Sequence, residues 1–342
     1  MIDKILKEKV FIVAELSANH LQDLDLARRT IEAMARAGAD AVKLQTYTPD
    51  TITIDCRRED FLIRQGTLWD GKTFYELYQK AYTPWEWHKE LKELAESLGL
   101  IFFSTPFDPT AVDFLEDLGV PCYKIASFEI TDLPLIEYAA AKGKPMIIST
   151  GIATLSDIEE AVEACRRAGN DQIVLLKCVS AYPTPLEEVN LRTIPHLAET
   201  FGVPVGLSDH TLSPSVAVAA VALGARVVEK HFILDRSLGG PDAAFSLEPE
   251  EFSFMVRAIR ETEKALGKIS YRLSAKQKKA REFSRSLYVV RDVRAGEEIT
   301  TENVRSIRPG YGLHPRHLPE VLGRRFRRDL EKGTPLRWEY IE

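Results

Sequence analysis

Apolar residues come in short runs that end on polar side chains, and the stretches between them repeat apolar positions three and four apart. Val10 to Ala14 is the first such run and closes on Glu15. Leu26, Ile31, Met34 and Ala35 then share one face of a helix over 24–37, which Gly38 stops. Ala41 to Leu44 follows and runs into Gln45 and Thr46. The unit repeats through LIFFST (100–105), CYKIAS (122–127), PMIIST (145–150), IVLLKC (173–178), VPVGLS (203–208) and RVVEKH (226–231). Further helices are predicted near 84–98, 109–118, 132–142, 156–168, 190–201, 214–223 and 249–266.

Helix ends carry their own signals. Thr83-Pro84-Trp85-Glu86 and Ser156 with Glu159 read as capping boxes, and Asp108-Pro109 and Ser213-Pro214 as a cap followed by proline. A glycine follows each helix, from Gly38 to Gly267, as a left-handed helix end favours. Continuous apolar strands are buried on both faces. Eight strand-then-helix units over this length predict a (β/α)8 TIM barrel. A doubly wound sheet is the rival, but no GxGxxG opens the first helix.

One connection, Tyr47 to Tyr82, is long, and its aromatic residues point to an ordered loop leaving the active rim. Beyond Gly267 the rhythm breaks. The barrel is expected over 1–268, a basic linker over 269–284 and a small β-rich domain over 285–342.

The 342 residues are 45% hydrophobic and 28% charged, an ordinary soluble mixture. A net charge of −6 gives no bulk attraction to nucleic acid, and the clusters Lys276 to Arg281 and Arg324 to Arg328 read as solvated faces or a domain seam. Cys56, Cys122, Cys165 and Cys178 lack CxxC spacing, which suits reduced thiols. No apolar run nears the ~18–20 residues of a membrane span, and no leader pattern opens the chain. These features predict a cytoplasmic protein.

In a barrel of this kind the C-terminal strand ends face the active site. They carry Glu15; Lys43 and Gln45; Thr105; Lys124, Ser127 and Glu129; Ser149 and Thr150; Ser180 and Tyr182; Ser208, Asp209 and His210; and Glu229, Lys230 and His231. Lysines and hydroxyls suit a phosphate and a carboxylate, although a lysine serves equally in a salt bridge. Lys124 is open to a second role as a Schiff-base amine. His210 and His231, at the ends of neighbouring strands, suit a shared divalent metal that keeps room for water and a substrate oxygen. A carboxylate ligand is open among Glu15, Glu129 and Glu229.

VAELSANH, DAVKLQTYTPD, FFSTPFD, YKIASFEI, IISTG, YPTP, GLSDHT, EKHF and GGPDAAFSLEP resemble the sialic acid synthase family, which condenses phosphoenolpyruvate with an amino sugar. GTLWDGKTFYELYQKAYTPWEWH and RSIRPGYGLHP resemble its pseudaminic acid synthase branch. The resemblance implies a TIM barrel, a C-terminal antifreeze-like (SAF) domain and a domain-swapped homodimer in which Arg308 reaches the partner's sugar. It also implies that Lys43, Thr105, Lys124, Ser127, Ser149, Ser180 and Ser208 hold phosphoenolpyruvate. His210 and His231 would bind manganese, with magnesium or cobalt as alternatives. Gln45, Tyr182, Asp242 and Arg308 would contact the sugar, and Glu15, His231 and Arg308 would be catalytic. Ser180 falls where neuraminate-type relatives carry an asparagine, and serine is shorter.

The branch implies 2,4-diacetamido-2,4,6-trideoxy-L-altrose as the sugar and pseudaminic acid as the product. The alternatives are an N-acetylneuraminate or legionaminate synthase, a Schiff-base aldolase using Lys124, and a non-catalytic sugar-binding protein built on 285–342.

Overall fold

The computed structural model describes residues 8–64 and 66–342. The chain divides between Gly267 and Lys268 into two compact units. In the larger unit, eight parallel strands close into a barrel: β1 (Phe11–Glu15), β2 (Ala41–Thr46), β3 (Ile101–Pro106), β4 (Tyr123–Ile125), β5 (Met146–Ser149), β6 (Ile173–Lys177), β7 (Val205–Asp209) and β8 (Val227–His231). Closure comes from β1 pairing with β8, which sets Glu15 opposite His231. The expected TIM barrel is therefore present.

Strand side chains alternate between two environments. Phe11, Val13, Ala41, Phe103, Cys122, Ile147, Val174, Leu176 and Val227 form a core of their own inside the barrel. Ile12, Ala14, Val42, Leu44, Phe102, Ile125, Ile148, Leu175 and Val228 join the larger core shared with the helices. Gly206 belongs to the crowded interior: a Cβ there would lie 2.4 Å from the Val227 carbonyl and 2.7 Å from Leu176 Cδ2.

The barrel helices are α1 (Leu24–Ala37), α2 (His88–Ser97), α3 (Pro109–Leu118), α4 (Leu133–Ala140), α5 (Leu155–Arg167), α6 (Thr193–Phe201), α7 (Pro214–Ala222) and α8 (Pro249–Leu266). Some ends differ from expectation. The segment Trp85–Trp87 is a 3-10 turn and α2 begins at His88, because the buried Thr83 hydroxyl is spent 3.2 Å from His20 Nε2. The capping box of α5 is Thr154 with Asp157, not Ser156 with Glu159. Asp108 caps α3 as expected, accepting from the amides of Thr110 and Ala111. Ser213 makes no capping bond; its hydroxyl lies 2.7 Å from Ser215 Oγ.

The small unit pairs β9 (Ser286–Val289) with β10 (Val304–Ile307) in antiparallel fashion. Leu287, Val289, Ile299, Val304, Val321, Phe326 and Leu336 are among its core. The stretch read as a linker holds a short exposed helix, Ala275–Ala280, capped by Ser274 and Gln277. All four cysteines are free. Among the described residues, no helix is long and apolar enough to cross a membrane.

Candidate active site

The inward positions of the barrel change character toward the C-terminal ends of the strands. Phe11 and Val13 are followed on the same face by Glu15, Ala41 by Lys43, Phe103 by Thr105, Cys122 by Lys124, Ile147 by Ser149 and Val227 by Glu229 and His231. An apolar floor thus carries a buried polar layer.

That layer is a charge cluster. Lys43 Nζ lies 2.7 Å from Glu15 Oε2, 3.2 Å from Glu229 Oε1 and 3.4 Å from Thr105 Oγ1. Lys124 Nζ donates to Ser149 Oγ at 2.7 Å and to the Ile125 carbonyl at 3.1 Å, and stands 3.7 Å from Glu229 Oε1. Ser208 Oγ donates to the same Glu229 oxygen at 3.1 Å. Burial pushes Lys43 down to about 8, even though Glu229 beside it favours the charged form. Burial would raise Glu229, but Lys124 and Lys43 hold it well below the usual carboxylate range. Glu129 is driven up to about 7 by burial, against the pull of Lys124.

Ser127 Oγ accepts from the Gly151 amide at 3.0 Å. A Cβ on Gly151 would meet Ser180 Oγ at 2.3 Å and Ser127 Oγ at 2.6 Å, so only glycine lets these hydroxyls approach. Among the described residues, Glu229 Oε2, Glu129 Oε2 and His231 Nδ1 are buried polar atoms without a hydrogen-bond partner. Such groups are costly in a finished core, and their gathering at one rim marks a ligand site.

His210 and His231 stand with ring centroids 5.3 Å apart. His210 Nδ1 faces the Val179 carbonyl at 3.1 Å, which leaves Nε2 for another partner. Burial, and next His210, keep His231 neutral, as a ligating imidazole must be. The two imidazoles are donors of the type a divalent ion takes, two of the three or four such a site needs. Among the described residues, no group of three or more His, Cys, Asp or Glu is set for a metal. Glu15 and Glu229 are instead engaged with lysines. Around the histidines, Tyr182 lies 4.5 Å from His210, and Phe245 lies 4.9 Å from His231 and 5.0 Å from Tyr182.

Not every strand-end residue points inward. Asp209 and Lys230 fall on the opposite parity and form a buried pair at 2.7 Å on the outer face of the strands. Thr150 spends its hydroxyl on the Leu176 carbonyl. Gln45, half-buried, stands opposite Thr105 in register. Asp242 Oδ2 accepts from Ser17 Oγ and the Ala18 amide, which ties the β8 loop to the β1 loop. Arg308, one residue past β10, is exposed on the small unit. Cys178, 3.8 Å from His210 Nδ1, and Phe245 were not anticipated. Cys178 follows Leu176 on the inward face, so strand parity alone would have found it.

The NeuB family model matches residues 30–271, and the SAF domain model matches 284–342. A pseudaminic acid synthase of Helicobacter pylori is 51% identical over 332 residues, 97% of each chain. One from Campylobacter jejuni is 47% identical over 96% of each. Among solved structures, an N-acetylneuraminic acid synthetase from Leptospira borgpetersenii in complex with citrate has a TM-score of 0.71 at 35% identity, covering 80% of this chain and 90% of that one.

Proposed function

The chain belongs to the NeuB family, and we propose that it condenses phosphoenolpyruvate with 2,4-diacetamido-2,4,6-trideoxy-L-altrose to give pseudaminic acid and phosphate. The observation that carries this reading is the buried cluster of Lys43, Lys124, Ser149 and Ser208 beside His210 and His231 at one barrel rim. Two ammonium groups among hydroxyls suit a ligand bearing both phosphate and carboxylate. Ser127, Thr105 and Ser180 complete the phosphoenolpyruvate contacts. Glu229 holds the two lysines together and orients them.

C3 of phosphoenolpyruvate attacks the aldehyde carbon of the open-chain sugar, and the aldehyde oxygen becomes a hydroxyl. Positive charge develops at C2, where Glu15 stabilises it and positions the incoming water. The tetrahedral intermediate expels phosphate and leaves the 2-keto acid. Gln45, Tyr182 and Asp242 hold the sugar. Synthases of this family are generally metal-dependent. A divalent ion held by His210 and His231, with manganese the first choice, supplies polarisation of the aldehyde oxygen when bound.

Lys124 Nζ donates to Ser149 Oγ and the Ile125 carbonyl and faces Glu229, contacts that suit holding an anionic ligand. The working form is a homodimer in the cytoplasm, with Arg308 of one copy reaching the sugar in the other. The test is phosphate release from phosphoenolpyruvate across a panel of six-carbon acetamido sugars. The diacetamido trideoxy altrose is expected to turn over fastest. Faster turnover of N-acetylmannosamine or of the legionaminate precursor overturns the branch assignment, and release from none overturns the chemistry.

A further inference from the structure

The long connection after β2 brings the ring of Trp69 against Tyr182. Its outer part is a braced loop: Leu62 bridges Thr73 in antiparallel fashion, and Ile63 donates to the Lys72 carbonyl at 2.9 Å. Asp70 accepts from the amides of Gly66 and Thr67, each at 2.9 Å, and from the Thr67 hydroxyl. These bonds fix the tip and hold Trp69 half-buried against two other loops. Its ring lies 5.8 Å from Tyr182, and its Nε1 donates to the Pro241 carbonyl at 3.1 Å. The single polar atom of the indole is thereby occupied, and what the ring offers a neighbour is hydrocarbon.

Tyr182 stands between Trp69 and His210, at 5.8 and 4.5 Å. If the aldehyde carbon reacts beside the histidines, a six-carbon chain, five bonds of ~1.5 Å zig-zagging over about 6 Å, is long enough to reach past Tyr182 when it lies along that ring. That end is the deoxygenated C6 methyl group. Trp69 also lines, with Leu21, Leu68, Leu77 and Pro241, a cavity of about 730 Å³. Shortening the indole would open the sugar site toward that space.

We infer that Trp69 is a specificity-determining residue: its ring forms an apolar wall against the C6 methyl group and disfavours a sugar that carries a C6 hydroxyl. The inference rests on the proposed condensation and names how the same site chooses its sugar. A hydroxyl packed against hydrocarbon loses water without gaining a partner. A wall of this kind discriminates by about 10- to 200-fold and no more.

The experiment compares kcat/KM for the 6-deoxy diacetamido sugar and its 6-hydroxy counterpart, by phosphate release, in the unaltered protein, Trp69→Phe and Trp69→Asn. The unaltered protein is expected to favour the 6-deoxy sugar within that range. Trp69→Phe keeps most of the preference. Trp69→Asn cuts it by about 10-fold or more, through KM for the 6-deoxy sugar, with KM for phosphoenolpyruvate unchanged and the melting temperature retained. Release from the 6-deoxy sugar with the same ratio in all three proteins overturns the inference and leaves the condensation standing. A fall in activity on both sugars alike, with a lowered melting temperature, also overturns it, because the role would then be structural. No release from either sugar by the unaltered protein overturns the condensation and the inference with it.

Discussion

Two residues show how tightly the site is built. Gly151 is ordinary in sequence, yet its missing side chain lets the Ser127 and Ser180 hydroxyls close in. Overpacking costs about 1–3 kcal/mol, so Gly151→Ala should raise KM for phosphoenolpyruvate about 5- to 150-fold. Steady-state phosphate release at saturating sugar measures this, and an unchanged KM would separate these serines from phosphoenolpyruvate. His20 and His88 are the second case. The Gln22 amide donates to His20 Nδ1 at 3.1 Å, and His88 sits between Thr46 Oγ1 at 2.8 Å and the Pro84 carbonyl at 3.2 Å. Burial lowers both from 6.5 to about 4. The unfolded chain therefore takes up these protons first as pH falls. Stability is full above pH 6.5 and is lost between there and about 4, by about 3 kcal/mol per ring. Thermal melts should steepen in that window, and His88→Gln should flatten the slope; an unaltered slope would contradict the assignment.

At the scale of elements, alternation along each strand sorts function from structure. Glu229 and His231 face the interior while Lys230, between them, pairs with Asp209 on the outer face. A list of polar strand ends misses this, because it ignores which face each residue occupies. Helix caps make a similar point. Asp108 and Ser213 both precede a proline, but only Asp108 makes capping bonds. Asp108→Ala should lose about 1 kcal/mol and Ser213→Ala only a few tenths by urea unfolding. Equal losses would mean that the hydroxyl of Ser213 matters through Ser215 instead. The expected cap at Thr83 fails in a similar way: Thr83 has a tertiary partner in His20 that competes with capping.

At the scale of the whole molecule, the proposed assembly makes a prediction of its own. If Arg308 acts in the partner's barrel, Arg308→Ala and His231→Ala should each be nearly inactive alone. Mixed and exchanged, they should recover up to about a quarter of normal activity, from the one intact site in each mixed dimer. No recovery from demonstrated mixed dimers would sink the shared site. In the same assay, chelation should abolish turnover and added manganese should restore it. Full activity in metal-free protein would remove the metal role from His210 and His231.

The sequence by itself pointed to the barrel, because eight doubly buried strands alternating with glycine-stopped helices, with no GxGxxG after the first strand, favour a closed βα repeat over an open sheet. It also placed Lys43, Lys124, His210 and His231 at one rim, since strand ends share an edge once the fold is known. Tertiary structure alone decided the rest: that Glu229 bridges both lysines, that Asp209 and Lys230 turn away, and that Trp69 meets Tyr182 from a distant loop. Those outcomes depend on which residues far apart in the chain come within a few ångströms, and on how side chains compete for partners in a dry interior. Local patterning carries neither.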